Sequence, residues 1–114
     1  MISQTLAQEV SQLEANLCFA LADPTRILIL YALDEQPRNV TELTNELGIT
    51  QPTTSRHLKI LRDRGLVNPT RQGVSITYQL TDRRLIQALD LLRGVLRDNI
   101  TRSANLMQEI EANS

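Results

Sequence analysis

There is no tryptophan in this chain, aromatic residues make up only 3% of it, and it has a single cysteine, Cys18. Each scarcity excludes something. One cysteine rules out a disulfide within the chain and gives no sign of an oxidising compartment. One histidine, His57, argues against a histidine-built metal centre within one chain. With so few rings, a core must be assembled from Leu, Ile, Val and Ala, which suits a mainly helical protein. No apolar run approaches the roughly 18 residues of a membrane span. The N-terminal MISQTLAQEV lacks the basic and apolar blocks of a signal peptide. The expectation is a cytoplasmic protein without membrane contact. Nor is there a phosphate loop, a nucleophile motif or a clustered acid pair, so no enzyme and no cofactor are expected.

What is present is a charge asymmetry. The net charge of −1 conceals it. Residues 1–50 hold seven acids and two bases, and residues 85–114 hold four acids and three bases. Residues 51–84 hold seven bases, Arg56, Lys59, Arg62, Arg64, Arg71, Arg83 and Arg84, against Asp63 and Asp82. A positive block confined to one third of the chain is the footprint of a surface that meets phosphate. The length of 114 residues suits one domain with a modest core, which pairing of two copies would enlarge.

The hydrophobic pattern divides the chain into six parts. From about Gln4 to Leu21, the positions Leu6, Val10, Leu13, Leu17 and Leu21 form one stripe of an amphipathic helix. Asp23 then suits an N-cap and Pro24 the first turn of a second helix, apolar on most sides through Ile27, Leu28, Leu30, Tyr31 and Leu33. Asn39, with Glu42 three positions on, can form a capping box for a third helix that Gly48 ends. Thr50 caps a fourth, with Pro52 tolerated in its first turn, and Gly65 stops it. From Leu66 to Leu80 the period changes to two, which predicts a two-stranded hairpin turning at Gln72-Gly73. A long helix capped by Thr81 or Asp82 follows, with apolar Leu85, Leu89, Leu92, Val95, Leu96, Ile100, Met107 and Ile110.

The organisation read from this pattern is a single mainly α domain with a small β-hairpin. It is a winged helix-turn-helix, with the paired helices at 39–64 and the wing at 66–80. The segments 1–22 and 81–114 are the dimerisation helices. At 100° per residue, Thr54, Leu58 and Leu61 share the packed face of the fourth helix, while Arg56, Lys59 and Asp63 point away. Gln51, Thr53 and Ser55 occupy its first turns, where a recognition helix meets base edges. The expected DNA contacts are Gln51, Thr53, Ser55 and Arg56 in the groove, Lys59 on phosphate, and Arg71, Gln72 and Gly73 at the wing. His57 flanks the packed face. It fits either a half-buried histidine bonded to a neighbour or a further DNA contact.

The strings LADPTRILILYAL (Leu21 to Leu33), ELTNELGITQPTTSRHLKILRDRGLV (Glu42 to Val67) and RQGVSITYQL (Arg71 to Leu80) resemble the ArsR/SmtB family of bacterial winged helix-turn-helix repressors. The resemblance runs from about Leu17 to Leu80. It implies a homodimer packed through its first and last helices, bound to a palindromic operator and released by an inducer, often a metal ion or a thiol oxidant. The chain also departs from the pattern. Asn39, Val40 and Thr41 stand where metal sensors of the family often carry Cys-x-Cys, and the last helix offers Asp90 and Asp98 but no histidine. Metal sensing of those kinds is therefore not expected.

Cys18 lies beside the first apolar stripe and reads as a small buried hydrophobe, with a thiol sensor or an intersubunit bond as the alternative. The inducer, whether a small molecule or a redox signal, is not written in any residue cluster. The competing reading is a winged-helix module that binds protein without reading DNA; the positive block argues against it.

Overall fold

The computed structural model describes residues 1–113 and divides into two compact units, Met1–Arg83 and a second that begins at Arg84. The first unit opens with helix α1, Gln4–Leu21, capped by the Ser3 hydroxyl on the Leu6 N–H. Within α1 the residues Glu14–Cys18 form a π-helical turn. Asp23 breaks the helix. Its carboxylate accepts the N–H groups of Thr25 and Arg26 at 2.8 and 3.3 Å, and Pro24 fills a position that needs no donor. Helix α2, Pro24–Glu35, therefore leaves at 84° to α1. Ile29, Leu30, Ala32 and Leu33 are buried, whereas Leu28 on the same helix is exposed.

A two-residue strand β1, Arg38–Asn39, leads into helix α3, Val40–Leu47. The expected capping box is complete. The Asn39 side chain accepts the Glu42 N–H at 2.8 Å and the Glu42 carboxylate accepts the Asn39 N–H at 3.0 Å. Gly48, at φ 65°, turns the chain into helix α4, Gln51–Asp63. That helix ends in a Schellman motif: Leu66 donates to the Leu61 carbonyl at 2.9 Å and Gly65, at φ 78°, donates to Arg62 at 3.0 Å. Leu61 and Leu66, both buried, are the apolar pair that accompanies the motif.

Strands β2, Val67–Gln72, and β3, Ser75–Leu80, form the hairpin, with Gln72 opposite Ser75. The turn is Gly73-Val74, one residue later than the sequence pattern implied. Gly73 has φ 64° and Val74 does not have positive φ, the signature of a type II′ turn. The sheet has three strands rather than two, in the order β1-β3-β2, because Arg38 and Asn39 pair with Tyr78 and Thr77. Arg38 fixes that edge by donating to the Ala32 carbonyl at 3.1 Å and bridging Glu35 and Glu46. Among the hairpin residues only Val67 is buried, and the outer half from Pro69 to Ile76 is exposed on both faces.

The second unit is helix α5, Arg84–Ala112. It starts later than a cap at Thr81 or Asp82 would give, so Arg83 precedes its first residue. Ile86 and Leu89 are buried, while Leu92, Val95, Leu96, Ile100, Met107 and Ile110 are each more than half exposed.

Candidate nucleic-acid interface

Helix α4 has a sharply divided surface. Thr54, His57, Leu58 and Leu61 are buried, and Gln51, Pro52, Ser55, Arg56, Lys59, Arg62 and Asp63 are exposed. The division follows the 3.6-residue period, because the buried four fall within an arc of about 100° on the helix. Thr54 joins α4 to α3. It is fully buried, accepts the Thr44 hydroxyl at 2.9 Å and donates to the Thr50 carbonyl at 3.1 Å. That bond ties the two helices through polar groups where apolar packing alone would let them slide. At the start of α4, Thr50 accepts the Thr53 N–H at 3.3 Å and its hydroxyl donates to that of Thr53 at 2.8 Å. Thr53 is thus half-buried and held by the cap, and Gln51 and Ser55 are the polar residues that the first turns leave open.

The seven bases of the positive block do not act alike. Arg64 turns back to α1, donating to the Ala15 carbonyl at 2.7 Å and to Asn16 Oδ1 at 3.3 Å, with its guanidinium 4.5 Å from the centre of the Phe19 ring. Arg83 pairs with Asp34 at 2.9 Å. Lys59 pairs with Asp63 at 2.9 Å, and Arg62 lies 4.0 Å from the same carboxylate. The Lys59 hydrogen bond, opposed by burial and helped by the charges of Lys59, Arg62 and Arg64, holds the Asp63 carboxyl below its ordinary range. Both partners are well exposed, so the pair contributes little to stability. Arg56 and Arg71 are exposed and make no ion pair among the described residues.

His57 does not lie on the outward face. Its side chain points toward α2, where Nδ1 is 3.4 Å from Arg26 Nη1. Burial pushes its pKa below the ordinary 6.5; nearby Asp23 opposes this, and the charges of Arg26 and Arg56 add to it. Of the two roles open in the sequence, the buried one is realised, because the position directly precedes Leu58 on the packed side of the helix. The role of Arg26 was not legible as such. A lone charge in the otherwise apolar PTRILILYAL was the available sign, since a charge on a buried helix must find partners. Its partners are the Ala20 and Phe19 carbonyls at the end of α1, at 2.7 and 3.1 Å, and the guanidinium lies 5.7 Å from the Phe19 ring centre.

Cys18 is exposed, contrary to its reading as a buried hydrophobe. The apolar stripe beside it is itself uncovered, with Leu6, Val10 and Leu13 each about half exposed, so lying next to that stripe does not bury the thiol. At the wing, Arg71 pairs with Ile76 in the ladder and Gln72 with Ser75, and Val74 projects fully into solvent. Arg71, Gln72 and Gly73 are all exposed. A two-residue connection keeps this arm short, and its attachment at Val67 follows the end of α4 by only three residues.

An exposed polar helix face over a locked partner helix, followed by a basic hairpin arm, is a surface shaped for duplex DNA. Comparison with known proteins agrees. Residues 23–69 match the family described as bacterial regulatory protein, arsR family. The chain is 42% identical over 88 residues to the HTH-type transcriptional regulator NmtR of Mycobacterium tuberculosis, covering 77% of this chain and 69% of that protein. It is 41% identical over 78 residues to the HTH-type transcriptional repressor SmtB of the same species, covering 68% of this chain and 58% of SmtB. Among solved structures, a homodimeric winged helix-turn-helix DNA-binding domain from Mycobacterium bovis superposes with a TM-score of 0.74 at 26% identity, covering 87% of this chain and 91% of that one.

Proposed function

The chain belongs to the ArsR family of bacterial regulatory proteins and is a DNA-binding transcriptional regulator, and from that premise we propose that it is a cytoplasmic repressor acting as a homodimer on a palindromic operator. The observation that carries the proposal is the outward face of α4, where, among the described residues, Ser55 and Arg56 stand unpaired beside an exposed Lys59–Asp63 pair. In this reading Gln51, Ser55 and Arg56 meet base edges, Lys59 takes a phosphate, and Arg71 with Gln72 and Gly73 brings the wing to the neighbouring groove. Thr53, held by Thr50, contributes through its cap and not as a free hydroxyl.

The whole chain works as one functional domain in this proposal, with 1–22 and 81–114 as its dimerisation segments. Support comes from the uncovered apolar rows: Leu6, Val10 and Leu13 on α1, and Leu92, Val95, Leu96 and Ile100 on α5. Rows of this length on both helices match the burial that a small domain gains from a second copy. Two copies set half-sites about one helical turn apart. An inducer of small-molecule or redox type releases the operator.

The test is selection of duplexes from a random pool, followed by binding measured against salt. The expected result is an inverted-repeat site bound with an affinity that falls steeply as salt rises. Binding indifferent to both sequence and salt would contradict the proposal, and a protein partner captured with no duplex selected would favour an interaction module.

A further inference from the structure

Arg26 and His57 meet on the inner side of the recognition helix, away from every proposed DNA contact. The Arg26 guanidinium has donors only, so at 3.4 Å the His57 Nδ1 must accept, which leaves the imidazole proton on Nε2. The remaining Arg26 nitrogens are committed to the Ala20 and Phe19 carbonyls. Both residues are buried, at 8% and 7% exposure. The charged groups that face His57 are Asp23 and Arg26 from the start of α2 and Arg56 from its own helix. From α3 and β2, also packed against α4, no charged group bears on it among the described residues. Asp23 is the one acid, and its Oδ1 already accepts two backbone N–H groups while its Oδ2 stands 4.0 Å from Arg26. A proton on His57 would place two cations within hydrogen-bond range, out of water, with one engaged carboxylate beside them.

We propose that Arg26 and His57 are positioning residues for DNA readout: the neutral imidazole seats α4 on α2, and its protonation unseats the helix and weakens binding. This rests on the DNA-binding reading above. His57 shares its turn with Ser55 and Arg56, so any roll of α4 that separates the two cations carries those contacts with it. The direction of the effect is diagnostic. Protonation of a histidine ordinarily tightens protein–DNA association by adding positive charge to the protein, whereas this device loosens it.

His57 is the chain's one histidine, so its imidazole ¹H and ¹⁵N resonances are unambiguous in the full-length protein. The expected spectrum is the Nε2–H tautomer at pH 7.5, titrating below the ordinary 6.5, and lower still with a duplex selected at pH 7.5. Affinity for that duplex is expected to fall several-fold from pH 7.5 to 5.5 at constant salt, with circular dichroism showing a folded chain throughout. His57→Gln, which can still accept from Arg26 but cannot titrate, is expected to bind with no such pH dependence. If that variant does not fold, the wild-type titration with and without duplex decides by itself. An imidazole that titrates at its ordinary value, or a wild-type affinity equal or tighter at pH 5.5, overturns the proposal. Failure to select any duplex at pH 7.5 sinks the DNA-binding reading and the proposal with it, and the imidazole titration then shows whether the Arg26–His57 contact failed as well.

Discussion

Arg56 and Arg64 lie eight positions apart in one positive block, yet the structure assigns them opposite consequences on truncation. Arg56 is exposed and free of ion pairs among the described residues, so Arg56→Ala is expected to change folding stability by less than about 0.5 kcal/mol. If its guanidinium meets a phosphate, each lost contact lowers the slope of log K against log salt by about 0.9, or roughly 1.8 for the two copies of a dimer. If it meets a guanine edge, the slope holds and discrimination at that base falls by about 1–3 kcal/mol per half-site. Arg64→Ala should do the reverse. It removes the bonds to Ala15 and Asn16 and the stacking on Phe19, solvent-exposed contacts together worth about 1–2 kcal/mol of stability. Its salt slope should match that of the wild type. Urea unfolding and fluorescence-anisotropy titrations over 50–200 mM salt, about the range where phosphate contacts dominate, measure both quantities on the same preparations. The division of the block into outward and inward bases is refuted if Arg56→Ala binds the operator and random duplex as the wild type does, or if Arg64→Ala alters the salt slope and leaves stability intact.

Further consequences follow from single contacts. Thr54→Val keeps the buried volume but removes the hydroxyl that bonds Thr44 and the Thr50 carbonyl, and should cost about 1 kcal/mol, or ~4–8 °C in Tm, with Thr44→Val adding little on top. Equal and additive losses in the two variants would show that the hydroxyls do not act as a pair. Burial sets His57 below its ordinary 6.5, so the unfolded chain takes up a proton that the folded chain refuses. The stability this contributes is fully present above that pH and is lost as pH falls through the lowered folded value. Asp23, where burial is outweighed by the N–H bonds of Arg26 and Thr25 and by nearby positive charge, loses its contribution only below its own ordinary 3.8. A wild-type denaturation series with no loss between about pH 7 and 5 beyond that of His57→Gln would contradict the first of these windows. Val10→Asp places a charge in the uncovered row of α1 and should shift sedimentation from dimer to monomer with secondary structure retained, whereas an unchanged dimer would remove that row from the interface.

The inner face of α4 was legible in the sequence because Thr54, Leu58 and Leu61 repeat with the helical period, and burial follows period wherever one side of a helix meets a core. Caps were legible for a similar reason. Asn39 with Glu42, Thr50, and the glycines at 48 and 65 satisfy backbone groups within a few residues, so the information is local. The misses share a different origin. Strand β1 is two residues long and exists only because Tyr78 and Thr77 come alongside it, so no period could announce it. The hairpin turn was read one residue early because Val74, a β-branched residue suited to strands, sits at the tip, where Gly73 supplies the positive φ. The burial expected for Cys18 follows from its place beside the α1 stripe, and a helical period shows which residues share a face but not what covers that face.

By itself the sequence determined the order of helices and hairpin, the caps between them, the face of α4 that packs, and the positive block around it. All of these rest on interactions between near neighbours or on patterns with a fixed period. Only the tertiary structure decided how the block is spent. It turned Arg64 toward the Ala15 carbonyl, paired Arg83 with Asp34, buried His57 against Arg26 and left Arg56 and Arg71 exposed. A long cationic side chain can reach partners far away in the chain, and composition records its charge but not its direction.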